Sequence, residues 1–197
     1  SEGDEIIIKT PRGDQIVERF LFGRQSEREG LSLSDYIAPD GVDTIDYIAM
    51  FVTTIGPGVR DLANQWNAEG NYLDSHILQA LALEGAEAFA ELMHQQIRKM
   101  WGFPDSESVT YEDLFHTKYR GRRYSFGYPA CPRLEDQAKL FALLDVENNI
   151  QVNLTDGFMM DPEGSVSAIV VHHPDAKYFT LDEIDTQNLE ARVANQL

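Results

Sequence analysis

The chain has 197 residues, 43% of them hydrophobic and 25% charged, the balance of a globular domain. Its net charge of -17 argues against nucleic acid, which rewards a basic face, and against an anionic membrane surface. One cysteine excludes an intramolecular disulfide and a thiolate zinc cluster, and no apolar run or signal sequence is legible, so a cytoplasmic setting is the expectation.

Residues 5–9 and 16–22 predict two strands joined at the Arg12-Gly13-Asp14 turn, a hairpin. Residues 23–32 are polar and predict a loop. Ser34-Asp35 predicts the cap of a short helix that stops before Pro39. The β-forming residues Ile45, Tyr47, Ile48, Met50, Phe51 and Val52 predict a buried strand over 43–55, closed by Gly56-Pro57-Gly58. Val59, Leu62, Ala63 and Trp66 recur at helical spacing, and beyond Gly70-Asn71 a long helix is predicted over 73–100. Its stripe of Leu73, Ile77, Leu81, Phe89, Leu92 and Met93 reads as a core-packing face.

Thr110 with Asp113 three residues on predicts a capped helix over 111–119, ended by Gly121. A helix is predicted at 134–145, strands at 149–154 and 165–171, and a capping box at Thr180-Leu181-Asp182-Glu183 opening a C-terminal helix. No repeat, low-complexity tract or linker interrupts the chain. Strands grouped at both ends around a helical middle predict an α+β fold rather than alternating βαβ units.

The segment from Lys118 to Pro132 stands out against the acidic background. It gathers Lys118, Arg120, Arg122 and Arg123 with Tyr119, Tyr124, Phe126 and Tyr128, two glycines, two prolines and Cys131. Glycine permits unusual backbone angles and proline removes N–H donors, so the segment predicts a shaped loop in which arginine can grip a carboxylate or phosphate through paired hydrogen bonds. From the residues alone, an ordered turn between two helices fits equally well. Cys131, between prolines and with no histidine–acid pattern beside it, reads as a buried inert thiol rather than a nucleophile. His172 and His173 are adjacent in an extended run and point to opposite faces, which argues against a shared metal ion. His76, His94 and His116 lack ligand spacing.

Arg123-x-x-x-Gly-Tyr-Pro-Ala-Cys-Pro132 resembles the signature of the activation domain of cobalamin-dependent methionine synthase. His172-His173-Pro174-Asp175-Ala176-Lys177-Tyr178-Phe179 is similar to that family's His-Pro-x-x-Lys-Tyr-Tyr segment. Leu33 to Pro39 and Ala86 to Glu91 also match, so the resemblance runs in order from near residue 3 to near residue 185. It implies a curved antiparallel sheet with clustered helices. The chain then reads as the C-terminal part of that domain, beginning after an N-terminal segment that supplies an acidic residue to the ligand's amino group.

The resemblance implies S-adenosylmethionine as the ligand, with Arg123 on its methionyl part, the main chain of Ser125, Phe126 and Gly127 against adenine, and Tyr128 as an aromatic wall. Tyr178 and Phe179 match the family's tyrosine pair, Phe179 lacking the second hydroxyl. Glu87 lies in a family-like helix segment. No catalytic base, nucleophile or metal is implied. The cobalamin belongs to a neighbouring domain of the same polypeptide, and a flavodoxin-like protein donates an electron, so that oxidised cobalamin is remethylated in methionine biosynthesis. Two other readings stay open: a protein-interaction module of the same fold without ligand, and a phosphate- or nucleotide-binding module using the cationic loop.

Overall fold

A computed structural model describes residues 1–13, 15–42 and 44–195. Asp14 of the expected turn and Asp43 of the expected third strand lie outside them. In chain order the elements are β1 (Glu5–Lys9), β2 (Ile16–Leu21), β3 (Ala49–Thr54), α1 (Val59–Ala68), α2 (Tyr72–Met100), α3 (Tyr111–Phe115), β4 (Arg122–Tyr124), α4 (Gln137–Leu144), α5 (Val146–Ile150), β5 (Asn153–Leu154), β6 (Met160–Asp161), β7 (Ser165–Val171) and α6 (Glu183–Ala194). Single 3-10 turns occupy Leu33–Tyr36 and Leu134–Asp136. The fold is α+β, with β1 and β2, β4 and β7, and β5 and β6 each paired antiparallel. The chain divides into two compact units, each assembled from separated stretches of sequence.

The first unit comprises Ser1–Ala49, Asp105–Asp136 and Ile169–Leu197. Its hairpin pairs β1 with β2 from Glu5↔Leu21 to Lys9↔Ile16, with an irregularity between Ile8 and Lys9. Ile6, Phe20, Leu21 and Phe22 are buried there. The Arg24 guanidinium bridges Asp4 and Asp35, each at 2.6 Å, and Arg192 of α6 reaches the second oxygen of Asp4. The short turn at 33–36 is opened by Ser32 rather than Ser34, because Asp35 accepts the Ser32 N–H at 2.8 Å. For the same reason α6 begins two residues later than its sequence suggests: Asp182 accepts from Asp185 N at 2.9 Å, and Asp185 accepts from Asp182 N at 3.1 Å. Gly23 lets this helix region approach closely, since a Cβ there would stand 2.4 Å from Leu181 Cδ1.

The second unit comprises Met50–Pro104 and Gln137–Ala168. α1 and α2 pack as a helical hairpin, with the Ser75 hydroxyl donating to the Ala63 carbonyl at 2.9 Å. β3 lies beside the first half of β7, where Ile55 N donates to Gly164 O at 3.0 Å. The Gln137 side chain donates to Phe158 O at 2.8 Å and accepts the Ser167 hydroxyl, which satisfies its buried amide. Every residue of β7 is buried, including Ser165 and Ser167, as the reading of a central strand predicts.

Several expectations are corrected. The third strand is confined to 49–54, and Val42, Ile45 and Tyr47 are exposed, because this run is not paired until Ala49. The helix after Thr110 stops at Phe115, where Thr117 takes φ 50°, well before Gly121. The expected strand at 149–154 yields to α5, which ends at a left-handed Gln151, leaving only β5, and β6 was not anticipated. The stripe on α2 faces the wrong way for a core. Its buried face is built from Ser75, Ala82, Ala86, Ala90 and Ile97, whereas Leu73 is 72% and Leu81 65% exposed. Along the first part of the helix the buried positions are small, whereas near its C-terminus the large side chains of His94, Ile97 and Arg98 are buried, so side-chain size does not by itself select the buried face.

Candidate functional site

The cationic segment is not all loop. Arg122–Tyr124 form β4, paired antiparallel with the end of β7 in the register Arg122↔Val171, Arg123↔Val170, Tyr124↔Ile169. Gly121 makes this possible. It takes φ +78°, and a Cβ on it would lie 2.4 Å from the Val171 carbonyl oxygen. Alternation along the strand puts Arg122 and Tyr124 on one face and Arg123 on the other.

On the Arg122 face an aromatic cluster assembles. Tyr124 is buried, stacks on Tyr36 at 6.4 Å between centroids, and meets Tyr178 edge-on at 5.5 Å. Its hydroxyl donates to the Lys177 carbonyl at 2.8 Å, which pins the chain just before Tyr178. Burial pushes the Tyr124 and Tyr36 phenols above their usual range, so both stay protonated and neutral. The Arg122 guanidinium donates to the carbonyls of Tyr119 and Gly121 at 2.8 and 2.6 Å and sits 5.7 Å from the Tyr119 ring and 6.0 Å from that of Tyr178. His173 adds its ring to Tyr36, and His172 bonds Asp46 at 2.8 Å. Among the described residues no group of three or more His, Cys, Asp or Glu is arranged to hold a metal ion.

The loop beyond β4 is held by its own hydrogen bonds. Gly127 N donates to Cys131 O and Cys131 N to Tyr128 O, both at 2.9 Å, and the Cys131 thiol donates to Ser125 O at 2.8 Å. Burial pushes that thiol up to about 12, so it remains protonated and serves as a donor. Phe126 is buried and stacks on Phe20 at 5.9 Å. Leu181 N donates to Pro129 O at 2.9 Å, a second tie between the loop and the segment after β7. Gly127 takes φ +83° and its Cβ would crowd Leu134 Cδ1 at 3.1 Å, so backbone angle and packing already require glycine there.

The sequence-predicted site residues therefore divide. Arg123, Ser125, Gly127, Tyr128, Tyr178 and Phe179 belong to one unit, with Arg123, Ser125 and Phe179 half-buried and Tyr128 and Tyr178 61% and 51% exposed. Two of the expected main-chain contacts, Gly127 N and Ser125 O, are engaged inside the loop. Glu87 lies in the other unit on the exposed side of α2, where Ala86 and Ala90 take the buried positions. Sequence reasoning passed over Arg122, Tyr124 and Tyr36. The signal was present in the period-two alternation of Arg122-Arg123-Tyr124, but reading the segment as a loop concealed it.

The family model for the activation domain of vitamin B12-dependent methionine synthase matches residues 1–195. The chain belongs to this family. Methionine synthase of Mycobacterium tuberculosis (strain ATCC 25618 / H37Rv) is 36% identical over 193 residues, covering 92% of this chain and 16% of the relative. Methionine synthase of Mycobacterium leprae (strain TN) is 32% identical over 191 residues, covering 91% and 16%. The chain thus spans about a sixth of the length of these relatives. The crystal structure of the MetH reactivation domain bound to AdoHcy superposes with a TM-score of 0.90 at 32% identity, covering 98% of this chain and 62% of that one. This activation-domain chain contains no helix, among the described residues, long and apolar enough to cross a membrane.

Proposed function

We propose that this activation domain binds S-adenosylmethionine and presents it for reductive remethylation of cobalamin. One observation carries the reading: the 0.90 TM-score to a reactivation domain that holds AdoHcy, the demethylated form of the same ligand. The residues fit such a ligand. Arg123 offers a planar fork to a carboxylate, and Tyr128 and Tyr178 leave half or more of their surface open, as a packing role alone does not require. Bound S-adenosylmethionine would supply a methyl group already activated by its sulfonium.

What remains for this chain is positioning. Arg123 would hold the methionyl carboxylate, and the main chain of Ser125 to Gly127 with Tyr128 would flank the adenine. Tyr178, steadied by Tyr124 and Arg122, would line the ligand site, with Phe179 beside it. The cobalamin would be carried by a neighbouring domain of the same polypeptide and the electron delivered by a flavodoxin-like protein in the cytoplasm. The 197 residues alone would therefore bind without turnover, and methyl transfer to homocysteine would belong to the whole polypeptide. Calorimetric titration with S-adenosylmethionine, AdoHcy and inorganic phosphate tests this. Saturable binding of the first two and none of phosphate is expected. Binding of phosphate alone would overturn it in favour of a phosphate site, and binding of none by the full-length polypeptide would leave a protein-interaction module.

A further inference from the structure

The exposed face of α2 carries what a buried helix face normally carries. Leu73, Ile77, Leu81, Ala88 and Leu92 recur at helical spacing on the side opposite Ser75, Ala82, Ala86 and Ala90, and all five are exposed. At 1.5 Å per residue the stripe runs about 28 Å, the length of a helix–helix seam. Acidic residues interrupt it: Glu84 sits on the same face between Leu81 and Ala88, the half-buried Glu91 lies in line with Leu73, and Asp74 is exposed in line with Leu92. Charged or polar residues in such a seam fix register and select the partner.

We propose that this face is the seat of an amphipathic helix supplied by the same polypeptide outside these 197 residues, with apolar side chains along the seam and a Lys or Arg opposite Glu84. Two observations choose this occupant. The solved reactivation domain contains chain with no counterpart here, since the match covers 62% of it, so a further segment exists in a relative of the same fold. The charge pattern rejects a second copy. Setting the stripe antiparallel to itself, Leu73 against Leu92, places Asp74 against Glu91 and Glu84 against Leu81, between two chains of charge -17. A carboxylate enclosed in an apolar seam requires a cation across from it.

The test uses the full-length polypeptide with Leu81 replaced by the photo-cross-linker p-benzoylphenylalanine, followed by peptide mapping. Expected is an intramolecular adduct to a Lys- or Arg-bearing helical segment outside residues 1–197, reduced at least fivefold by adding Glu84→Lys. Leu81→Glu is expected to speed tryptic release of that segment about tenfold while leaving the melting temperature of the 197-residue chain unchanged. An adduct between two copies of α2, an adduct to another protein, or no protein adduct overturns the proposal, as does an adduct indifferent to Glu84→Lys. None of these readouts depends on S-adenosylmethionine, so they stand apart from the ligand-binding reading.

Discussion

The ring of Tyr178 meets that of Tyr124 edge to face, 5.5 Å between centroids and 70° between planes, and this contact joins the segment after β7 to the signature strand β4. The Tyr124 hydroxyl, donating to the Lys177 carbonyl, fixes the backbone from which Tyr178 projects. If Tyr178 lines the ligand site, Tyr178→Ala should weaken S-adenosylmethionine binding about tenfold. The cost to folding should stay near 1 kcal/mol, the worth of one edge-to-face pair. Tyr178→Phe keeps the ring and should bind within about twofold of the parent. Calorimetry beside urea denaturation separates the two effects, and an Ala variant that loses stability but not affinity assigns Tyr178 to packing.

Arg123→Ala should cost about 1.5–3 kcal/mol of S-adenosylmethionine binding, roughly tenfold to a hundredfold, because a charge-assisted pair to the carboxylate is lost. Arg123→Lys should recover only part, since an ammonium cannot reproduce the guanidinium fork. The measurement belongs in the full-length polypeptide, with circular dichroism as folding control. Undiminished affinity in the Ala variant would remove Arg123 from the site.

Gly121 and Gly41 share a left-handed backbone, φ +78° and +84°, but a Cβ would meet the Val171 carbonyl at 2.4 Å in the first case and nothing within 4 Å in the second. Gly121→Ala is therefore expected to cost about 3 kcal/mol or more, and Gly41→Ala only the backbone strain of about 1 kcal/mol. Equal urea midpoints for the two variants would show that β4 shifts away from β7 without penalty.

The Cys131 thiol is held at about 12 by burial against an ordinary 9.0. The folded thiol stays protonated above pH 9 while the unfolded one ionises, so its contribution to stability is complete below pH 9 and falls away as the pH rises toward 12. Between pH 8 and 10 the parent should lose about 1.4 kcal/mol more than Cys131→Ala does. Parallel slopes in denaturation at the two pH values would mean that the thiol ionises freely in the folded chain. Iodoacetamide at pH 8 should leave the native thiol unmodified and alkylate it in urea.

The hairpin of β1 and β2, the length of α2, the burial of β7 and the Thr110 cap were all legible in the chain, because each follows from local periodicity or a capping pattern. So was the pairing of Tyr178 with the signature segment, though only through resemblance to a family. Tertiary structure decided the rest. That Arg122–Tyr124 is a strand depends on an edge of β7 being available and on Gly121 admitting the Val171 carbonyl, neither of which appears in a window of ten residues. Which face of α2 is buried depends on how closely its neighbours approach. Hydrophobic periodicity located an apolar face, but serine and alanine took the buried positions of the first turns and His94, Ile97 and Arg98 those near the C-terminus, and the leucines were left outside.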